Sequence, residues 1–194
     1  MSSLKHPDSP TRPAAFLDRD GVINVDHGYT FRPEDLELTP TAAEGIRLLN
    51  EAGYPVLVVT NQSGVARGLY GTADVELFHR RINEELAGQG ARIDAFYYCP
   101  YHPDGIVADF AFEHRDRKPG SGMILRAMRE WNIARDGSFL IGDKASDAEA
   151  AAGAGIASLL IAPNEGDLAA AVRAFLPNPG DGRTQSSATP ESGT

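Results

Sequence analysis

An α/β fold, a parallel sheet with helices on both faces, is what this sequence predicts, and three observations predict it. Short apolar runs recur at 14–17, 56–59, 95–99, 138–142 and 156–161. Stretches of helical periodicity separate them, an alternation that calls for parallel strands and crossover helices. The runs lead into polar tips or polar loops, and open parallel sheets gather ligands at the carboxyl ends of their strands.

The elements follow in order. Ala14-Ala15-Phe16-Leu17 is short enough for a buried strand, and it ends in Asp18-Arg19-Asp20-Gly21. The polar loop after it, to Thr39, is long for a strand–helix connection, and such loops are usually functional. Thr41-x-x-Glu44 has the spacing of a capping box, with Ile46, Leu48 and Leu49 as an apolar face and Gly53 as a stop. Val56 to Val59 is β-branched and continuously apolar, as in a strand covered on both faces. It runs into Thr60-Asn61-Gln62-Ser63-Gly64.

Thr72 is the expected cap of a second helix carrying Val75, Phe78, Ile82 and Leu86. Ala95 to Cys99 is a third strand, and a second long loop, 100–119, holds Arg117-Lys118-Pro119. Met123, Ile124, Ala127, Met128 and Trp131 mark a helix. Ser138 to Gly142 is a fourth strand ending in Asp143, and Ser146 is the expected cap of an alanine-rich helix. A fifth strand, 156–161, and a helix lined by Leu168, Val172, Phe175 and Leu176 complete one domain over 14–176. Residues 1–13 and 177–194 have the composition of disordered tails.

Bulk properties narrow the function. The chain has 194 residues and a formal charge of −9, which disfavours nonspecific binding to nucleic acid or anionic membranes. The one cysteine, Cys99, allows no internal disulfide, which suits a reducing compartment. No stretch approaches membrane-spanning length, and the N-terminus has no apolar signal core. The expectation is a cytoplasmic monomer that acts on a small molecule.

Four strand-end features then converge on one sheet edge: Asp18 with Asp20, Thr60 to Ser63, Arg117 with Lys118, and Asp143 with Lys144. Each alone is ordinary turn or surface chemistry. Together they describe a site. Two like charges about 4 Å apart at an effective dielectric of 20 repel by roughly 4 kcal/mol. Asp18, Asp20 and Asp143 therefore need a cation, and a hard divalent ion such as Mg²⁺, held by carboxylates and a substrate phosphate, fits that need. Carboxylates, Mg²⁺, a lysine and a hydroxyl together suit phosphoryl transfer.

These residues resemble a known family. Asp18-Arg19-Asp20-Gly21-Val22, Thr60, Lys118 before a proline, and Gly142-Asp143-x-x-x-Asp147 are similar to the four motifs of haloacid dehalogenase-type phosphatases. Phe16 to Glu37 and Val58 to Gly68 resemble the D-glycero-D-manno-heptose 1,7-bisphosphate phosphatase branch, related to histidinol-phosphate phosphatases. The resemblance covers about 14–165 and implies a capless, Rossmann-like, three-layer haloacid dehalogenase-like domain. It implies Asp18 as nucleophile, Asp20 as acid and base, Thr60 and Lys118 as phosphoryl-binding groups, and Mg²⁺ held by Asp18, the Asp20 carbonyl and Asp143. Asn61, Gln62, Ser63, Arg67, Arg117 and Lys144 are then candidates for substrate binding. The implied reaction removes the C7 phosphate of a heptose bisphosphate, a step toward bacterial surface glycans.

Many members of that family carry a zinc loop, Cys-x-His then Cys-x-Cys. The corresponding positions here are Cys99, Tyr101, His114 and Asp116, so three of four ligands are changed and zinc is not expected. The alternative set is Cys99, His102, His114 and Asp116. The rival functions are histidinol-phosphate phosphatase or another small sugar-phosphate phosphatase, and a receiver domain that is only phosphorylated on Asp18. A receiver has no use for an acid at Asp20.

Overall fold

The structure, a computed structural model, describes residues 11–176. The expected tails therefore lie, apart from 11–13, outside the described residues. Five parallel strands form one sheet: β1 (Ala15–Leu17), β2 (Val56–Asn61), β3 (Ala95–Cys99), β4 (Phe139–Gly142) and β5 (Ala157–Leu160). Their spatial order is β3-β2-β1-β4-β5. The short β1 is central because its three residues pair on both sides, Phe16 facing Leu57 on one and Leu140 on the other.

Alternation along β1 splits the core in two. Ala15 and Leu17 enter the layer built with α1 (Ala42–Glu51), α2 (Thr72–Ala87) and α5 (Leu168–Phe175). Ala14 and Phe16 enter the layer built with α3 (Gly122–Trp131) and α4 (Ala145–Ala154). This is the expected three-layer arrangement. The long insertions between β1 and α1 and between β3 and α3 carry, among the described residues, one short 3-10 turn at Pro33–Asp35 and no further helix or strand of a cap.

Three helix starts differ from expectation, the first because a distant group competes for the capping atom and the other two because an aspartate three residues on accepts from the cap amide. Thr41 makes no cap bond to its own helix; its hydroxyl accepts from the Ala169 amide of α5, and Glu44 pairs with Arg173. Gly71, not Thr72, is the cap of α2, and its amide donates to Asp74 Oδ2. Lys144, not Ser146, caps α4, with Asp147 Oδ2 accepting from the Lys144 amide at 3.0 Å. Strand β5 lies at the sheet edge and is exposed along its length.

Candidate active site

The turn after β1 sets the geometry. Asp18 is buried at the strand end and its amide donates to Ile141 O of β4. Its Oδ1 accepts from the Arg19 amide at 2.7 Å and lies 2.9 Å from Lys118 Nζ. That leaves Oδ2 outside these bonds. Gly21 turns the chain with φ of +86°, a region that favours glycine. A Cβ there would lie 2.6 Å from Asp143 Oδ2, so the glycine also admits Asp143 from β4.

Lys118 arrives from the loop after β3. Asn61 seats it, donating from Nδ2 to Lys118 O and accepting from Lys118 N, both at 3.0 Å. The ammonium, almost wholly buried, donates to Val59 O at 2.8 Å and contacts Asp147 Oδ1 at 2.5 Å besides Asp18. Burial alone would lower its pKa, but Asp18 and Asp147 outweigh that and hold it raised. Asp18 is pushed up to about 6, first by burial and then by Asp147 and Asp20, against the pull of Lys118. Asp143 is also raised by burial, against Lys144 at 3.5 Å.

Ligand oxygens of Asp18, Asp143 and Asp147 all lie within 4.8 Å of one another. Asp143 Oδ1 is buried with no hydrogen-bond partner. Three crowded carboxylates sharing one lysine, with an orphaned oxygen among them, fit a hard divalent cation such as Mg²⁺. The expected metal set is Asp18, the Asp20 carbonyl and Asp143; the structure gathers the Asp18 and Asp143 carboxylates and adds the Asp147 carboxylate beside them. The Gly-Asp-x-x-x-Asp spacing contains that signal, since Asp147 sits on the first turn of α4 just behind Asp143.

Asp20 is satisfied elsewhere. Arg19 donates to it from Nε at 3.1 Å and from one terminal nitrogen at 2.8 and 2.9 Å; Asn24 adds a bond at 3.0 Å and Gln62 one at 2.9 Å. Arg19 itself is fully buried, donating to Thr30 O and lying over the Phe78 ring and against His79. No local pattern around Arg19 signals that its side chain points inward.

A cavity of about 420 Å³ opens above these groups, lined by Asp18, Asp20, Thr60, Lys118 and the candidate substrate contacts Asn61, Gln62, Ser63, Arg117 and Lys144. Arg67 does not line it. The turn from Ser63 to Gly68 directs its guanidinium to His102 Nε2, 3.2 Å away. Asp26, Tyr29 and Tyr70 line the cavity as well, three residues outside the expected site set.

The alternative zinc donors make other contacts in this structure. Cys99 Sγ is buried against Tyr101 O, the Tyr101 ring stacks on His114 at 4.3 Å, and Asp116 is held by Arg126 at 2.8 Å. His102 faces Arg67. Aromatic contacts of Tyr101 with Phe110, Phe112 and His114 pack this loop instead.

The HAD-hydrolase-like family profile matches residues 116–178. The D-glycero-beta-D-manno-heptose-1,7-bisphosphate 7-phosphatase of Rhodopseudomonas palustris is 51% identical over 148 residues, 76% of this chain and 82% of that protein. The chain belongs to this heptose-bisphosphate phosphatase family. The Yersinia pestis member is 40% identical over 77% of this chain and 79% of its own length. The D,D-heptose 1,7-bisphosphate phosphatase of B. bronchiseptica, solved with magnesium and phosphate, superimposes with a TM-score of 0.70 at 32% identity, covering 87% of this chain and 89% of that one. The fold is thus haloacid dehalogenase-like. Among the described residues no helix is long and apolar enough to cross a membrane.

Proposed function

We propose that this protein is a Mg²⁺-dependent phosphatase that removes the C7 phosphate of D-glycero-D-manno-heptose 1,7-bisphosphate, acting as a cytoplasmic monomer. The observation that carries the reading is the pairing of two unlike carboxylates on one turn. Asp18 is buried against Lys118 beside two further carboxylates, while Asp20 is held apart by Arg19, Asn24 and Gln62. Chemistry in two steps needs that separation. The location and the oligomeric state are inferred from the lone buried cysteine and the acidic charge.

Asp18, Asp143 and Asp147 are the side chains available to hold Mg²⁺, with the Asp20 carbonyl as a further donor. When bound, the ion neutralises phosphoryl charge and orients the phosphate. Asp18 Oδ2 attacks phosphorus and the bond to the sugar oxygen breaks. Asp20 gives that oxygen its proton, so the leaving group departs as an alcohol. Asp20 then takes a proton from water as the water oxygen attacks the phosphorus of the aspartyl phosphate, freeing Asp18 and inorganic phosphate. Lys118 and the Thr60 hydroxyl stabilise the equatorial oxygens. Arg117, Lys144 and Ser63 line the cavity farther out and are assigned to the second phosphate and the sugar. Asn61 acts through Lys118, whose backbone it holds.

Phosphate release tests the reading. Purified protein with Mg²⁺ is expected to hydrolyse heptose 1,7-bisphosphate much faster than histidinol phosphate, and Asp18→Asn to be inactive. Equal or reversed substrate rates would remove the substrate assignment. Retained turnover in Asp18→Asn would remove the mechanism.

A further inference from the structure

Gln62 and Tyr70 line the cavity, yet neither has a polar atom to spare for substrate. Gln62 is 1% exposed. Its Nε2 donates to Asp20 Oδ2 and to Thr60 Oγ1, each at 2.9 Å, and its Oε1 accepts from Tyr70 OH at 2.9 Å. Both amide hydrogens and the amide oxygen are therefore committed to protein.

Tyr70 is fixed from its other side. Its ring stacks on Phe31 at 4.6 Å. Gly64 lies against it, and a Cβ there would come within 2.2 Å of the ring. An amide can turn end over end with almost no change in shape. Here the Asp20 carboxylate can only accept, so the Nε2 end faces it and Oε1 is left to accept from the Tyr70 hydroxyl. The order of donors thus runs from Tyr70 to Gln62 to Asp20 and Thr60.

The contacts on Asp20 differ in origin. Arg19 and Asn24 belong to the same turn as Asp20 and move with it. Gln62 comes from the end of β2, as does Thr60. Its amide is thus the tie that sets the distance from Asp20 to the phosphoryl-binding hydroxyl. It also occupies a Thr60 lone pair, leaving the Thr60 hydrogen free to point at substrate.

We propose that Tyr70 and Gln62 are positioning residues that hold Asp20 for proton transfer at the sugar oxygen, with Tyr70 anchoring the Oε1 end of the Gln62 amide whose Nε2 end meets Asp20. The proposal rests on the role given to Asp20 above. It assigns neither residue to substrate binding.

Leaving-group dependence tests it. kcat/KM reports steps up to departure of the leaving group. A sugar alkoxide needs a proton to leave, whereas p-nitrophenolate does not. Tyr70→Phe keeps the ring and removes only the hydroxyl. It is expected to lower kcat/KM for heptose 1,7-bisphosphate about 10- to 100-fold through kcat, with KM within about 2-fold. For p-nitrophenyl phosphate kcat/KM is expected to stay within about 3-fold of wild type, with a burst of nitrophenol because the later water step needs Asp20 as base. Gln62→Met, similar in size and without the amide, is the second variant and should show the same split. Equal losses on both substrates, or no loss on the sugar, would overturn the proposal. If wild type ignores the heptose but hydrolyses another alkyl phosphate, the substrate assignment alone falls, and that phosphate serves for the same comparison.

Discussion

Lys118 Nζ lies 2.9 Å from Asp18 Oδ1, and both side chains are almost completely shut off from solvent. The lysine also meets Asp147, so one ammonium serves two buried carboxylates. Lys118→Met leaves both without their cation. Phosphate release is expected to fall at least about 100-fold. Loss of one partner from a buried ion pair costs about 3 kcal/mol. Urea unfolding should show that loss, and a midpoint equal to wild type would contradict it.

Asp143 works against stability when no metal is bound. It is raised by burial, lies close to Asp18 and Asp147, and keeps one oxygen unpartnered. Asp143→Asn is therefore expected to raise Tm in EDTA, by roughly 2–4 °C for each kcal/mol of repulsion relieved. The same change should abolish the rise in Tm that Mg²⁺ gives the wild type. A variant that keeps the full Mg²⁺ response would refute the assignment of Asp143 as a ligand.

His79 predicts how stability responds to acid. Burial, and then the Arg19 guanidinium beside it, depress its pKa far below the ordinary value, to about 2. The folded protein thus keeps His79 neutral while the unfolded chain takes up a proton below about 6.5. The unfolded state then binds more protons, so stability is held above that pH and declines as pH falls, by up to roughly 1.4 kcal/mol per unit for this group. His79→Gln retains an acceptor for Arg19 and does not titrate. Denaturant curves between pH 6.5 and 4.5 should show a shallower decline in the variant; parallel declines would contradict the account.

Cys99 should be chemically silent in the folded protein. It is fully buried, and burial pushes its thiol up to about 11. A chromogenic thiol reagent at pH 8 is expected to react with one equivalent only after denaturation. Prompt reaction in the native state would show that the 100–119 loop opens.

The alternation of strands and helices was legible in the sequence because it rests on local periodicity. So was the convergence of Asp18, Thr60, Lys118 and Asp143, because parallel strands share one carboxyl edge. What escaped were choices made by distant partners. Thr41 has the spacing of a capping box, but the Ala169 amide of α5, a helix on the same face of the sheet, takes its hydroxyl. Nothing next to Arg19 in the chain marks it for burial; Thr30, Phe78 and His79 enclose it from a distance. Arg67 sits in a glycine-rich loop near the cavity, and only the fold of that loop sends it toward His102. Asp147 lay within the recognised spacing, yet its contact with Lys118 depends on a residue 29 positions earlier.

The exchange between Asn61 and Lys118 has a consequence for how the loop and the sheet are joined. A carboxamide that both gives and receives a bond with one residue's backbone acts as a branched peptide group, a rung sewn beside the last pair of β2 and β3. Asparagine is the smallest side chain able to make that stitch. Aspartate has the same outline but sets a negative oxygen against the Lys118 carbonyl, and leucine offers neither thread. Where the loop re-enters the sheet is thereby written into a single amide, which places the ammonium over Asp18 before any ligand arrives.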